Sequence, residues 1–101
     1  MVLAEIHLRA LGEHAILLEI DNPPANALGS ALGAAMNAAL GDLERDTDVR
    51  ALALTGPGGA FCGGDDLKEQ EAAQANGAEA RRAQLGEFAG VLEHIARLRM
   101  P

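Results

Sequence analysis

The residues best suited to chemistry lie between an apolar run and an acidic helix start. After Leu52-Ala53-Leu54 comes Thr55-Gly56-Pro57-Gly58-Gly59, then Ala60-Phe61-Cys62-Gly63-Gly64-Asp65-Asp66-Leu67-Lys68-Glu69. This reads as a strand, a tight glycine loop and the opening turn of a helix. Backbone N–H groups at a helix start have no intrahelical partner, and the helix dipole adds partial positive charge there. Glycines let another group approach such a backbone closely. The segment is therefore suited to hold a carbonyl oxygen that becomes negative during a reaction. Residue types alone leave two readings open, an oxyanion-binding loop and a plain turn.

Other chemistries fit this segment less well. A phosphate loop needs Gly-Lys-Ser/Thr after its glycines, and Asp65-Asp66 follow here. Adjacent carboxylates rarely converge on one ion, and no further acid or histidine sits at ligand spacing from Asp65 and Asp66, so no metal is expected. Cys62, the one cysteine, has no local histidine to act as its base and reads as a small buried side chain. His7, His14 and His94 read as surface or helix-face residues. Glu69 and Glu71 read as the solvated face of a short helix.

The elements that must position the loop can be followed along the chain. Val2 to Ala10 alternates, with Leu3, Ile6 and Leu8 apolar, and Glu13-His14 after Gly12 makes a turn. Ala15 to Ile20 has the length of a buried strand, so the two segments should pair as a hairpin. Asp21-Asn22-Pro23-Pro24 ends the second strand, because proline gives no N–H to a ladder. Ser30 is placed to cap a helix running to about Arg45, with Leu32, Met36, Leu40 and Leu43 on one face. Gly29, Gly33 and Gly41 weaken that helix and suggest close approach to a neighbour. Val49 to Leu54 is a third strand, and the β-α-β order implies a parallel sheet covered by helices. A short helix from Asp65 or Asp66 to about Ala75 breaks at Asn76-Gly77. A final helix from about Ala78 to Arg99 carries Leu85, Phe88, Leu92, Ile95 and Leu98 or Arg99 as its stripe.

Composition bounds what such a body can be. With 101 residues the chain forms at most one small domain, and its 49% hydrophobic content is rich in alanine, so each buried side chain contributes little. Fifteen acids against eight bases leave a net charge of −7, without a basic stripe or stacking aromatics, which argues against nucleic-acid binding. One cysteine excludes an internal disulfide framework and fits a reducing compartment. No apolar run approaches the ~18 residues that span a bilayer, and no leader opens the chain, so neither membrane association nor export is expected. A cytoplasmic setting follows as the expectation.

Two segments also resemble a known family. Ala60-Phe61-Cys62-Gly63-Gly64-Asp65-Asp66-Leu67 is similar to the first oxyanion-hole motif of the crotonase superfamily (enoyl-CoA hydratase/isomerase family), commonly Ala-Phe-(Ser/Cys/Ala)-Ala-Gly-x-Asp-(Leu/Ile). Asn22-Pro23-Pro24-Ala25-Asn26-Ala27-Leu28 resembles the family's Asn-x-Pro…Asn-Ala-Leu segment between the second strand and the first long helix. Their order and separation match as well.

The resemblance implies an α/β fold, the first strands and helices of a ββα spiral over residues 1–101, with the second half of the domain absent. It implies action on acyl-CoA thioesters through a stabilised enolate, most often hydration of an enoyl-CoA or migration of its double bond. Asp65 would give its backbone N–H to the thioester carbonyl. Ala25, Asn26, Ala27 and Leu28 would line the coenzyme A groove together with Cys62, Gly63 and Gly64. Asp66 would cap the following helix, and Leu67 would face the acyl pocket. The second oxyanion loop and the catalytic carboxylates would lie outside these residues, leaving the chain alone inactive. No cofactor is implied beyond coenzyme A as part of the substrate, and relatives suggest a homo-oligomer, a trimer or hexamer. The alternative is a non-catalytic fragment, a CoA-binding or assembly module of the same fold. Two departures stand out. A carboxylate at Asp65 would oppose a developing negative oxygen unless it points away, and Pro24-Ala25 replaces the basic residue that often precedes Asn-Ala-Leu.

Overall fold

The computed structural model describes residues 5–23, 26, 28–56, 61–62 and 67–101. Two strands, β1 (Glu5–Ala10) and β2 (Ala15–Asp21), form the expected antiparallel hairpin, in register from Glu5 opposite Asp21 to Ala10 opposite Ile16. Gly12 in the turn has φ 139°, a conformation that side chains resist. Helix α1 (Ser30–Arg45) then crosses over to β3 (Ala51–Thr55), which lies parallel to β2 with Ala15 opposite Ala51. The sheet order is β1-β2-β3. Helices α2 (Leu67–Ala75) and α3 (Ala78–Ala96) follow. The mixed α/β reading holds, and β2-α1-β3 is the anticipated crossover unit.

The core lies between one face of the sheet and α1. Leu18 and Ile20 alternate inward from β2 to meet Leu32, Met36, Leu40 and Leu43 of α1, joined by Leu28, Val49, Val91 and Met100. The helical periodicity of α1 therefore lands where the sequence pattern placed it, and Leu18, Leu32 and Leu40 are fully enclosed. Burying a leucine contributes about 1.5–3 kcal/mol, so these few side chains carry much of the stability.

Several expectations shift in detail. Ser30 is the first helical residue rather than the cap. Gly29 occupies the cap position without a side-chain bond, and the Ser30 hydroxyl donates to Glu87 of α3 at 2.6 Å. β3 starts two residues late because the N–H groups of Arg50 and Ala51 both donate to the His14 carbonyl, and Val49 becomes a buried lead-in. Leu8 is half exposed, since β1 has a neighbour on one side only among the described residues. Gly33 does sit at a helix–helix contact, where an added Cβ would lie 3.5 Å from Val91 Cγ2, whereas Gly41 meets only its own helix's Arg45.

The last helix differs most. The helix ends at Ala96, short of the expected Arg99, so the half-buried Leu98 lies beyond it. Among the described side chains its inward face is Val91, with Ile95 half-buried, while Leu85 and Leu92 are more than half exposed. The Phe88 side chain lies outside the described residues. Gly77, with φ 97° and ψ −177°, starts α3 in a region essentially restricted to glycine. After α3 the chain returns to the sheet. Arg99 donates to the carbonyls of Glu44 and Val49, each at 3.0 Å, and to that of Asp46, and so satisfies the C-terminal end of α1. The Leu52 N–H on the outer edge of β3 donates to the Pro101 carbonyl at 2.9 Å.

Candidate active site

Two segments identified from sequence meet at Asn26. This residue is 5% exposed and adopts φ 54°, in the left-handed region that asparagine tolerates better than most residues. Its N–H donates to the Asn22 carbonyl at 2.8 Å, and its Oδ1 accepts the Asn22 N–H at 2.7 Å. The turn after β2 is thus closed from both sides. From this turn the Asn26 Nδ2 donates to the Phe61 carbonyl at 3.0 Å, across 35 positions of sequence. Phe61 opens the second segment, so the turn after β2 and the loop after β3 are joined by a partly buried hydrogen bond.

The parallel pairing of β2 and β3 explains why these segments are neighbours. Both strands run the same way in adjacent positions, so the segments following their C-terminal ends emerge side by side. This is where open α/β sheets place ligands. Leu28 is buried and anchors the far end of the first segment against the core. On the other side, α2 begins at Leu67, two positions after Asp65.

Cys62 is exposed rather than buried, correcting the reading from its residue type. It sits in a loop leaving the edge of the sheet, where no core surrounds it. Phe61 is half exposed beside it. Ala25, Ala27, Gly63, Gly64, Asp65 and Asp66, and the side chain of Leu67, lie outside the described residues, as does the side chain of Glu69.

The histidines occupy the scaffold. His7 Nε2 lies 3.2 Å from Asp21 Oδ2 across the hairpin and 3.4 Å from Glu5 on its own strand, with Asp21 the least exposed of the three. His14 Nδ1 lies 3.0 Å from the Asp48 carbonyl. His94, on α3, lies 3.0 Å from Asn37 Oδ1 and 3.7 Å from Glu44 of α1. Glu71 is exposed on α2, as a solvated face requires. A shallow cavity of about 210 Å³ between α1 and α3 is lined by Ser30, Gly33, Ala34, Asn37 and Glu87. No helix among the described residues is long and apolar enough to cross a membrane.

Sequence reasoning placed Asn26 beside a ligand and missed that its amide ties the two segments together. The available signal was an asparagine after Pro-Pro-Ala, a position where a left-handed turn residue is expected.

Comparison with known proteins bears on the same segments. The chain is 38% identical over 60 residues to a probable enoyl-CoA hydratase of Bacillus subtilis, covering 59% of this chain and 23% of that protein. It is 39% identical over 56 residues to enoyl-CoA hydratase EchA19 of Mycobacterium tuberculosis, covering 54% and 21%. The fold matches a crystal structure of an enoyl-CoA hydratase from Bacillus anthracis with TM-score 0.85 and 26% identity, over 95% of this chain and 37% of that one. An enoyl-CoA hydratase/isomerase from Xanthobacter autotrophicus Py2 matches with TM-score 0.85 and 27% identity, over 99% and 37%. The chain thus spans less than a quarter of the length of these curated relatives and a little over a third of the solved structures. A sequence profile for enoyl-CoA hydratase/isomerase matches residues 12–101, which include both segments joined at Asn26, and the chain belongs to that family, within the crotonase superfamily.

Proposed function

We propose that this chain contributes the first oxyanion donor and part of the coenzyme A groove to an enzyme acting on acyl-CoA thioesters, by hydration of an enoyl-CoA or movement of its double bond. The observation that carries the proposal is the Asn26–Phe61 hydrogen bond, which brings together the segments expected to hold the thioester. The Asp65 N–H, just ahead of α2, receives the thioester oxygen as it gains enolate charge. The helix dipole favours that charge, and a donor fixed before reaction binds the enolate better than the ground-state carbonyl. The groove is formed by residues 25–28 and 62–64, with Asp66 capping the helix and Leu67 toward the acyl chain. The second donor and the acid/base carboxylates come from the larger body that these residues help form, a homo-oligomer in this reading. No metal takes part.

Asp65 tests the proposal. In the assembled enzyme, Asp65→Ala keeps the backbone donor and removes a nearby negative charge, so turnover of crotonyl-CoA should be equal or higher. Asp65→Pro deletes the N–H and should cost at least ~10²-fold in kcat. Full activity in the proline variant would overturn the assignment. The 101-residue chain by itself, with one donor and without the carboxylates worth another ~10²–10⁴ in rate, should not turn over.

A further inference from the structure

We propose that Asn26 is a positioning residue: its side-chain amide acts as a strut that sets the loop following β3 against the turn following β2, so that activation of the thioester depends on it. The inference rests on the oxyanion reading of residues 61–66. It starts from a buried polar side chain whose two ends face different segments. Oδ1 accepts the Asn22 N–H and so belongs to the first turn. Nδ2 donates to the Phe61 carbonyl and so grips the start of the second loop. The backbone of Asn26 is held at φ 54° by the turn it closes, which leaves the amide little freedom to follow the loop if the loop moves. Phe61 lies four positions before Asp65. A shift at Phe61 therefore moves the root of the segment that presents the Asp65 N–H. A donor displaced by a fraction of a bond length no longer meets the oxyanion, and misplacements near 1 Å cost on the order of 10² in rate.

The two ends of the amide can be tested separately. Asn26→Asp retains an acceptor for Asn22 and tolerates the left-handed backbone, but it sets a carboxylate oxygen against the Phe61 carbonyl. Asn26→Gly retains only the backbone conformation and serves where the aspartate variant fails to fold. Both should speed amide hydrogen exchange in the peptide spanning 61–66 by about 10-fold, the equivalent of losing one hydrogen bond, while exchange in the β1–β2 ladder stays as in the parent. In the assembled enzyme, kcat should fall about 10–100-fold, by more than KM for crotonyl-CoA rises. Unchanged exchange over 61–66 in both variants overturns the strut. Faster exchange with unchanged kcat overturns the link to activation. A loss confined to KM would assign Asn26 to binding and overturn the positioning role. Asp65→Pro separates the two levels of inference. If that variant keeps full activity, the oxyanion reading fails, and the strut is judged by exchange alone.

Discussion

Helices α1 and α3 pack against each other and use their apolar residues differently. In α1 the stripe Leu32, Met36, Leu40 and Leu43 is buried from end to end. Among the described side chains of α3 only Val91 is enclosed, Ile95 is half-buried, and Leu85 and Leu92 stand more than half in solvent. Both sequences have helical spacing. The difference is the partner. α1 lies over the sheet and meets Leu18 and Ile20, whereas α3 packs against α1 and α2 and leaves Leu85 and Leu92 in solvent. Periodicity says which residues share a face, but a second element decides whether that face is covered.

The largest expected effect separates the helices directly. Leu40→Ala should lower unfolding stability by about 2–5 kcal/mol, enough to unfold a marginal chain. Leu92→Ala should cost less than about 0.5 kcal/mol. Denaturant midpoints measure both, and equal losses would break the comparison. If copies of the chain cover the outer side of α3, the loss at Leu92 will grow with protein concentration.

A smaller effect comes from the tie between the two helices' ends. Arg99, which follows α3, donates to three carbonyls near the end of α1, where a cation also meets the negative end of the helix dipole. Arg99→Ala should cost about 1–2 kcal/mol. Arg99→Lys should recover little of this, because one ammonium cannot reproduce the guanidinium fork. Full rescue by lysine would show that charge rather than geometry holds the tie.

The smallest expected effect is a gain. A Cβ at Gly86 of α3 meets nothing within 4 Å, while one at Gly33 of α1 lies at ordinary contact distance from Val91. Gly86→Ala should stabilise the chain by about 0.5–1 kcal/mol through helix propensity alone, and Gly33→Ala by less. A loss at Gly86 on melting would mean that the outer side of α3 is covered closely by another surface.

These contrasts also explain what was legible beforehand. The α1 stripe, the hairpin and the parallel crossover were readable because each follows from a local period or an order of elements. Ser30 was misassigned because its hydroxyl finds Glu87, a partner distant in sequence. The stripe on α3 was drawn through Leu85 and Leu92 because apolar residues lie on two sides of that helix, and no pattern within it says which side faces α1. At the site, both segments were visible as motifs. That Asn26 joins them was not, since a contact across 35 positions leaves no local period. Cys62 was read as buried from the general habit of cysteine, which a loop at the sheet's edge does not follow.

The hydrogen bond from Leu52 to the Pro101 carbonyl sets an order of assembly. The β1–β2 hairpin closes over the turn at residues 11–14 and can form as soon as those strands leave the ribosome. Pairing of β3 with β2 must wait for the whole of α1. The outer edge of β3 waits longer still, until α2 and α3 have been made and the chain has come back. Loop closure entropy rises only slowly with length, by about 0.6 kcal/mol per doubling, so the delay is one of synthesis more than of search. During it, the N–H groups on that edge are open to any passing strand. Slowing translation after β3 has left the ribosome and before residue 101 has done so should therefore increase aggregation of the nascent chain, and slowing it before β3 emerges should not.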